Sequence, residues 1–268
     1  MTPPAPASGS PVLFVGAGPG DPELITLRGA RALAEADLVV WAGSLVHPAL
    51  LDHCRSEAVI HDSAGLDLAQ IVQLLAQGHR SGRRVVRLHT GDPSLYGAIA
   101  EQMNELDALG VPYAVIPGVS SFAASAAALN AELTMPGLSQ TVILTRRAGR
   151  TPVPQGQDLV SLASHRATLC IFLSVGQIEE VVADLLQHYP GSTTVAVVAN
   201  ASWPEERIVR GTLADIAGRV EEEGISRTAM ILVGDVLDRS GEVSRLYDRA
   251  FSHGYRHADG GSGEGALE

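Results

Sequence analysis

Short apolar runs typical of buried strands alternate with helical patterns along the first half of the chain. The strand-like runs are Val12–Val15, Leu38–Trp41, Ala58–Ile60, Arg84–Leu88 and Pro112–Ile116. Helical periodicity lies between them at Leu24–Ala36, Leu66–Gln77 and Leu95–Leu109. Because parallel strands must be joined by a crossover, usually a helix, this alternation predicts a parallel sheet covered by helices.

The alternation starts again after an Ala-rich segment, Ser120–Leu129, and an irregular stretch. Its strands are expected at Thr141–Thr145, Ala167–Leu173, Thr194–Val198, Glu206–Gly211 and Ala229–Val233, and its helices at Gln177–His188 and Leu213–Glu223. The sequence therefore predicts two α/β domains, 12–121 and 122–240. The Pro- and Ala-rich residues 1–11 and the Gly-rich residues 255–268 are expected to be flexible tails.

Charge and composition exclude several classes of protein. With 19 basic and 30 acidic residues the formal net charge is −11, which disfavours binding to nucleic acid or to an anionic membrane. No apolar run approaches the about 20 residues of a membrane helix, so a cytoplasmic protein is expected. Because lysine is absent, lysine-based covalent catalysis is excluded. The two cysteines, Cys54 and Cys170, are too far apart in sequence to suggest a metal site, and none is expected.

A glycine-rich loop, Gly16-Ala17-Gly18-Pro19-Gly20-Asp21, follows the first strand. Such a loop suggests a dinucleotide site, in which helix-N-terminal amides hold a pyrophosphate. Two residues oppose that interpretation. Asp21 stands where the third glycine is required, and Pro19 has no N–H to offer. We therefore expect a tight turn that also forms the wall of a different ligand site.

Two other predicted strands also end in polar or glycine-rich segments. After Arg84–Leu88 comes the run from His89 to Gly97, in which Asp92 followed by Pro93 is a favourable helix start. After Pro112–Ile116 comes Pro117-Gly118-Val119-Ser120-Ser121, whose two serines are equally suited to cap a helix or to bind a ligand. Ligands of open parallel sheets bind beyond the carboxyl ends of the strands, so a site is predicted there.

These segments carry a family resemblance. Gly16–Asp21, Thr90–Gly97 and Pro117–Phe122 resemble the signature segments of the tetrapyrrole (uroporphyrinogen III/precorrin) methyltransferase family. Further stretches resemble its precorrin-4 and cobalt-precorrin-4 branch: Trp41–Val46, His89–Ala98, Glu132–Pro136, Ser139–Arg146 and Gly149–Pro154. Trp41 stands where that branch is expected to have tyrosine, and both are aromatic.

The resemblance implies the tetrapyrrole methylase fold, with S-adenosylmethionine bound in a cleft between the two α/β domains and released as S-adenosylhomocysteine. It implies cofactor contacts from a set of mostly backbone and small side-chain positions: Pro19, Gly91, Asp92, Leu95, Tyr96, Ser120, Ser121, Leu173, Ala201 and Ala229. The implied reaction is methylation of carbon 11 of precorrin-4 or cobalt-precorrin-4 in cobalamin biosynthesis, by a homodimer.

The residue types also suggest roles in the reaction. His89, Tyr96 and Glu132 are candidates for a general base that removes a ring proton. The tetrapyrrole carries many carboxylates, and guanidinium groups suit their binding. Arg146 and Arg150, together with Ser44, are therefore expected to bind substrate, with Arg28 and Arg87 next in order.

Other functions remain open from sequence. One is a precorrin methyltransferase that acts at a different ring position. Another is a protein methyltransferase similar to diphthine synthase, which the arginine-containing insert Arg146–Pro154 disfavours. A third is a non-catalytic module that binds S-adenosylmethionine or a tetrapyrrole. The sequence also does not distinguish a cobalt-containing from a metal-free substrate.

Overall fold

The computed structural model describes residues 9–238 and, beyond them, residues 241, 244, 251, 252, 254, 255 and 257. These residues form two compact units. The first contains the described chain up to Ala128 together with Asn200–Arg207, and the second contains Leu129–Ala199 and the described chain from Ile208 onward. The first unit thus extends past the expected boundary at residue 121 and includes a segment from the second half. Residues 1–8, 256 and 258–268 of the expected flexible tails lie outside the described residues.

In the first unit, five strands form one sheet. The elements follow the chain as β1 (Val12–Gly16), α1 (Leu27–Glu35), β2 (Leu38–Trp41), β3 (Val59–Asp62), α2 (Leu68–Arg80), β4 (Val85–His89), α3 (Ile99–Ala108), β5 (Tyr113–Ile116) and α4 (Ser121–Ala128). Their order across the sheet is β3-β2-β4-β1-β5, and every neighbouring pair is parallel. The predicted parallel sheet is confirmed.

The three inner strands of this sheet, β1, β2 and β4, are mostly apolar because both of their faces are buried. On one face Phe14 packs in a cluster with Leu75 of α2 and Leu106 of α3. On the other face Val15 packs in a cluster with Leu33 of α1. Burial of each such side chain contributes about 1.5–3 kcal/mol. Two-sided burial explains why the strands are continuous apolar runs and do not alternate with polar residues.

The second unit contains β6 (Val142–Arg146), α5 (Leu159–Ala163), β7 (Thr168–Phe172), α6 (Ile178–Leu185), β8 (Thr194–Ala199), β9 (Arg207–Thr212), α7 (Ile216–Glu222) and β10 (Ala229–Val233). The strand order is β6-β7-β10-β8-β9. β6 and β7 are parallel, whereas β10 is antiparallel to both β7 and β8. The second run of alternation therefore gives a mixed sheet, because no helix joins β8 to β9.

The predicted start of the third helix is wrong by the largest margin. The helix expected at Asp92 and Pro93 begins instead at Ile99, as α3. Before it, Tyr96 and Ala98 have left-handed φ values of 57° and 49°, so the intervening residues form turns. The short helix α5 was not predicted, because five residues are too few to show periodicity. No helix in the described part of the chain is long and apolar enough to cross a membrane.

Candidate functional site

Three glycines pack together at the carboxyl ends of adjacent strands in the first unit. Gly16 ends β1, while Gly91 and Gly118 each lie two residues beyond β4 and β5. A Cβ atom on Gly16 would lie 2.5 Å from the Gly118 nitrogen and 2.7 Å from the Gly91 oxygen. A Cβ atom on Gly118 would lie 2.8 Å from the Gly16 Cα. No side chain fits between these backbones, so the strand ends present bare main chain.

The loop after β1 is joined to the loop after β4 by backbone hydrogen bonds. Ala17 N donates to His89 O at 2.7 Å, and Gly18 and Gly91 exchange two bonds, of 3.3 and 2.8 Å. Gly18 and Gly91 have φ values of +83° and +59°, which favour glycine. The glycine-rich loop is therefore the tight turn that the sequence predicts, and its bonds at Ala17 and Gly18 hold it against the chain that follows β4.

Asp21 has a local role in this loop that differs from that of a dinucleotide fingerprint. Its carboxylate accepts the Glu23 amide at 2.9 Å and caps the 3-10 turn Pro22–Leu24. Its own N–H donates to the Ser202 hydroxyl at 3.0 Å. Because Pro19 has no N–H and the Asp21 N–H is already used, few amides remain here for a pyrophosphate.

The Asp92 carboxylate links the ends of β4 and β5. Its oxygens accept the Gly118 amide at 2.9 Å and the Ser94 amide at 2.8 Å, and the Ser94 hydroxyl donates to it as well. Partial burial alone would raise the pKa of Asp92, but these hydrogen bonds hold it below its ordinary value. Asp92 thus caps a local turn, and the left-handed residues Tyr96 and Ala98 keep this turn from continuing as a helix. The next predicted cofactor residue, Leu95, lies half-buried in the following turn.

Ser120 and Ser121 stand at the start of α4. Ser120 is buried, and its carbonyl oxygen accepts the amides of Ala123 and Ala124. Within the described chain, neither serine hydroxyl makes a hydrogen bond. The structure thus does not use these hydroxyls as caps, which leaves them available to a ligand.

His89 is buried at the end of β4, with 5% of its surface exposed. Its ring stacks on Phe14 with a centroid distance of 5.9 Å. Burial, reinforced by the nearby Arg87 cation, lowers the pKa of His89 to about 3. Its Nε2 has no hydrogen-bond partner among the described residues. The imidazole is neutral near pH 7 and a weak base, which disfavours it for proton removal.

The other two base candidates are exposed. Tyr96 belongs to the first unit and is 46% exposed, whereas Glu132 belongs to the second unit. Ser44, a predicted substrate residue, is exposed in the loop after β2. The start of that loop is held by Asp62, whose carboxylate accepts the Gly43 amide at 3.1 Å.

Arg87, which the sequence suggests as a further candidate for substrate binding, is a buried cation. Its guanidinium donates to the Gln102 side chain at 3.2 Å, to the Val40 carbonyl at 3.2 Å and to the Ser63 hydroxyl at 3.0 Å. Burial lowers its pKa to about 10, so the group remains charged. Arg87 is therefore a link inside the first unit, and its burial prevents it from reaching a substrate carboxylate.

In the second unit, Leu173 and Ala229 lie at the same end of the sheet. The antiparallel register pairs Ile231 of β10 with Ile171 of β7; Ala229 begins β10 and Leu173 directly follows β7. Leu173 is 73% exposed and has a φ of 55°. An exposed leucine in a left-handed conformation is unusual and typical of a functional position. Ala201, which was expected in the second domain, instead belongs to the segment of the first unit.

The arginines of the predicted substrate loop differ in their contacts. Arg146 donates to the carbonyl oxygens of Thr151 at 3.1 Å and Pro152 at 2.8 Å, so it organises its own loop. Arg147 forms an ion pair with Asp184 at 2.7 Å. Arg150 is exposed and has no ion pair within the described chain.

The family model of the Tetrapyrrole (Corrin/Porphyrin) Methylases matches residues 11–217. The chain belongs to this family. Among the relatives of this tetrapyrrole methylase, the cobalt-precorrin-4 C(11)-methyltransferase of Methanocaldococcus jannaschii is 51% identical, over 91% of the chain and 95% of that enzyme. The precorrin-4 C(11)-methyltransferase of Pseudomonas aeruginosa is 52% identical, over 91% of the chain and 98% of that enzyme.

Solved structures agree with the family and the fold. The X-ray structure of a cobalamin biosynthetic enzyme, cobalt precorrin-4 methyltransferase, matches with a TM-score of 0.83 and 45% identity, over 85% of the chain and 95% of that enzyme. The uroporphyrin-III C-methyltransferase of Thermus thermophilus, solved with S-adenosylhomocysteine, matches with a TM-score of 0.72 and 33% identity, over 87% and 96%. The predicted tetrapyrrole methylase fold is confirmed.

Proposed function

We propose that this chain is an S-adenosylmethionine-dependent methyltransferase that methylates carbon 11 of precorrin-4 or of cobalt-precorrin-4. The observation that carries the proposal is the identity of 51% and 52%, over 91% of the chain, to enzymes named for that reaction. Identity to the uroporphyrin-III enzyme is 33%. This difference favours the precorrin-4 branch over a methyltransferase for another ring position.

The strand ends of the first unit fit S-adenosylmethionine. The bare main chain at Gly91, where an added Cβ would meet nothing closer than 3.9 Å, suits close approach of a ligand. The unpaired hydroxyls of Ser120 and Ser121 suit the amino-acid part of the cofactor, and the N-terminus of α4 favours its carboxylate. The cofactor contacts in this proposal are the predicted set, Pro19, Gly91, Asp92, Leu95, Tyr96, Ser120, Ser121, Leu173, Ala201 and Ala229.

S-adenosylmethionine supplies a methyl group that its sulfonium charge already activates. The work left to the chain is to bind and align the two molecules and to exclude water. This division of labour agrees with a glycine-lined site in which the buried His89 is a weak base. If a ring proton must be removed, Tyr96 and Glu132 remain the candidates in the proposal.

Arg150 is the proposed contact for a substrate carboxylate, together with Ser44. It is exposed and makes no ion pair with the described residues, which supports the proposal, since such a guanidinium can form a two-pronged pair with a carboxylate. Arg146 supports the same loop through its carbonyl bonds and has further N–H groups for a carboxylate. The homodimer and the cytoplasmic location also remain proposals, which sedimentation of the purified chain and fractionation of its host cells would test.

The experiment is incubation with S-adenosylmethionine carrying a ¹³C-methyl group and with either precorrin-4 or cobalt-precorrin-4, followed by NMR of the product. We expect one new methyl group, at carbon 11, and the faster of the two substrates identifies the natural one. A label at another ring carbon would identify a different precorrin methyltransferase. Binding of both ligands without transfer would identify a non-catalytic module.

A further inference from the structure

A segment from the second half of the sequence belongs to the first unit. Residues Asn200–Arg207, here called the strap, run from the end of β8 to the first residue of β9 but group with the first unit. Within the strap, Trp203 N donates to Asn200 O at 2.9 Å and Ser202 N donates to the Glu206 carboxylate at 2.7 Å. Asn200 and Ser202 have left-handed φ values of 50° and 65°. The strap is thus a tight turn held in one conformation.

The strap contacts the glycine-rich loop at three consecutive residues. The Trp203 indole Nε1 donates to the Pro19 carbonyl at 2.9 Å. The indole ring occupies the space where a side chain at Gly20 would lie, with its Cγ 2.9 Å from an added Cβ. The Ser202 hydroxyl accepts the Asp21 amide at 3.0 Å. Gly20 is therefore required by the tryptophan and not by a phosphate.

The indole also packs near a second aromatic ring of the first unit. Its ring lies 5.0 Å from the His47 ring, at an angle of 43°. His47 is fixed in turn because its Nδ1 accepts the Ala49 amide at 3.2 Å. Pro19 and Gly20 are both buried under this arrangement. The position of the Pro19 turn thus depends on an aromatic side chain about 180 residues away in sequence.

We infer that Trp203 is a positioning residue for cofactor binding, which holds the Pro19–Gly20 turn in the conformation that S-adenosylmethionine requires. The inference rests on the proposed function, in which Pro19 forms one wall of the cofactor site. Trp203 acts through the turn: its N–H fixes the Pro19 carbonyl, and its ring fixes the Gly20 backbone. Without these contacts the turn keeps its bonds to the β4 loop, at Ala17 and Gly18, but loses its outer support.

The test is calorimetric titration of S-adenosylhomocysteine into the whole chain and its variants. Trp203→Phe keeps most of the ring and removes the N–H donor, so we expect the dissociation constant to rise about fivefold. Trp203→Ala removes both contacts and should raise it at least about tenfold. Glu205→Ala is the matched control, since Glu205 is an exposed strap residue with no hydrogen bond or ion pair in the described chain. It should bind as the unmodified chain does.

A double-mutant cycle separates positioning from general stability. Gly20→Ala places a methyl group against the indole and should weaken binding about tenfold or more, whereas in the Trp203→Ala background the same change should have a much smaller effect. The fluorescence of Trp203 gives a readout that does not depend on the Gly20 and Trp203 variants. The chain has two tryptophans, so Trp41→Phe leaves Trp203 as the only one, and its emission should change on titration with S-adenosylhomocysteine.

The outcomes distinguish this inference from the proposed function. If the unmodified chain does not bind S-adenosylhomocysteine, the proposed function fails. If it binds, but the Trp203→Phe variant binds equally well and Trp203 emission does not respond, then only the positioning role is overturned. Should Trp203→Ala fail to fold, the Phe variant and the emission experiment still decide.

Discussion

The glycine-rich loop of the first unit and the arginine-containing loop of the second are held in different ways. The first is built by backbone: Gly18 and Gly91 exchange hydrogen bonds, and Gly16 and Gly118 touch. The second is built by side chains, because the Arg146 guanidinium holds the carbonyl oxygens of Thr151 and Pro152. Where backbones pack directly against each other, there is no room for an added side chain. A loop held by side-chain hydrogen bonds accepts more substitutions, but it depends on the individual charged group that makes those bonds.

This contrast matches the two ligands of the proposed reaction. The cofactor is the same throughout the family, and a fixed backbone surface suits it. The tetrapyrrole differs between branches of the family, and a loop organised by arginine side chains suits a ligand rich in carboxylates. Substitutions in the two loops should therefore have separable effects on the two ligands.

The largest effect is expected for Gly118→Ala. The new Cβ would lie 2.8 Å from the Gly16 Cα, so the ends of β1 and β5 must move apart. We expect the kcat/KM for methyl transfer to fall about 100-fold and the free energy of unfolding to fall by about 1–3 kcal/mol. Gly65→Ala is the matched control, because a Cβ there meets nothing within 4 Å. Normal turnover by the Gly118 variant would show that the close packing is not needed.

The next effect concerns the two serines of α4. Ser120→Ala and Ser121→Ala should each raise the dissociation constant of S-adenosylhomocysteine about tenfold or more, because a hydrogen bond to a charged group is lost. Ser125→Ala is the control on the same helix, since the Ser125 hydroxyl is fully buried without a partner in the described chain. It should bind normally. Unchanged affinity for S-adenosylhomocysteine in both test variants would show that these serines do not bind the cofactor.

A smaller effect is expected in the arginine-containing loop. Arg150→Ala should weaken tetrapyrrole binding about tenfold and leave S-adenosylhomocysteine binding unchanged, with partial rescue by Arg150→Lys. The loss should be larger at low salt, because an exposed ion pair is then least screened. Arg83→Ala removes another exposed charge, in the segment just before β4, and serves as the control. Equal affinities of the two variants for the tetrapyrrole would argue that Arg150 is only a surface residue.

The smallest effect is a pH-dependent one at Asp92. Its hydrogen bonds lower its pKa in the folded chain. The carboxylate therefore stabilises the fold fully above its unfolded pKa of about 4, and this contribution is lost as the pH falls through the lower folded value. Asp92→Asn should cost about 1 kcal/mol at pH 7 in urea unfolding, and the gap from the unmodified chain should shrink below about pH 4. A gap that does not change with pH would contradict this role.

Local patterns predicted much of the fold. The strands Leu38–Trp41 and Ala229–Val233 have the predicted bounds, because a buried apolar run between polar turns is a local signal. The start of α3 was predicted too early. Asp92 does accept the local Ser94 amide, but Tyr96 and Ala98 have left-handed φ values, and these end the turn before a helix can continue. A favourable cap sequence does not show how far the helix behind it extends.

The backbone geometry around the candidate site was predicted in part, whereas its ligand contacts remain predictions. The tight turn of the glycine loop and the polar strand ends follow from local sequence, and ligands of parallel sheets bind at that edge. The packing of the strap on the glycine-rich loop was not predicted, since its contacts with Pro19 and Asp21 join residues more than 180 positions apart. The only available signal was a tryptophan in an otherwise polar loop. Likewise, the burial of Arg87 follows from its place in a central strand and not from its residue type.

The most direct measurement of the central claim is a paired titration of S-adenosylhomocysteine and NAD into the unmodified chain. The claim is that the glycine-rich strand ends of the first unit form a site for S-adenosylmethionine and not for a dinucleotide. We predict saturable binding of S-adenosylhomocysteine with one site per chain, competition by S-adenosylmethionine, and no heat of binding with NAD. Micromolar binding of NAD with no response to S-adenosylhomocysteine would contradict the account.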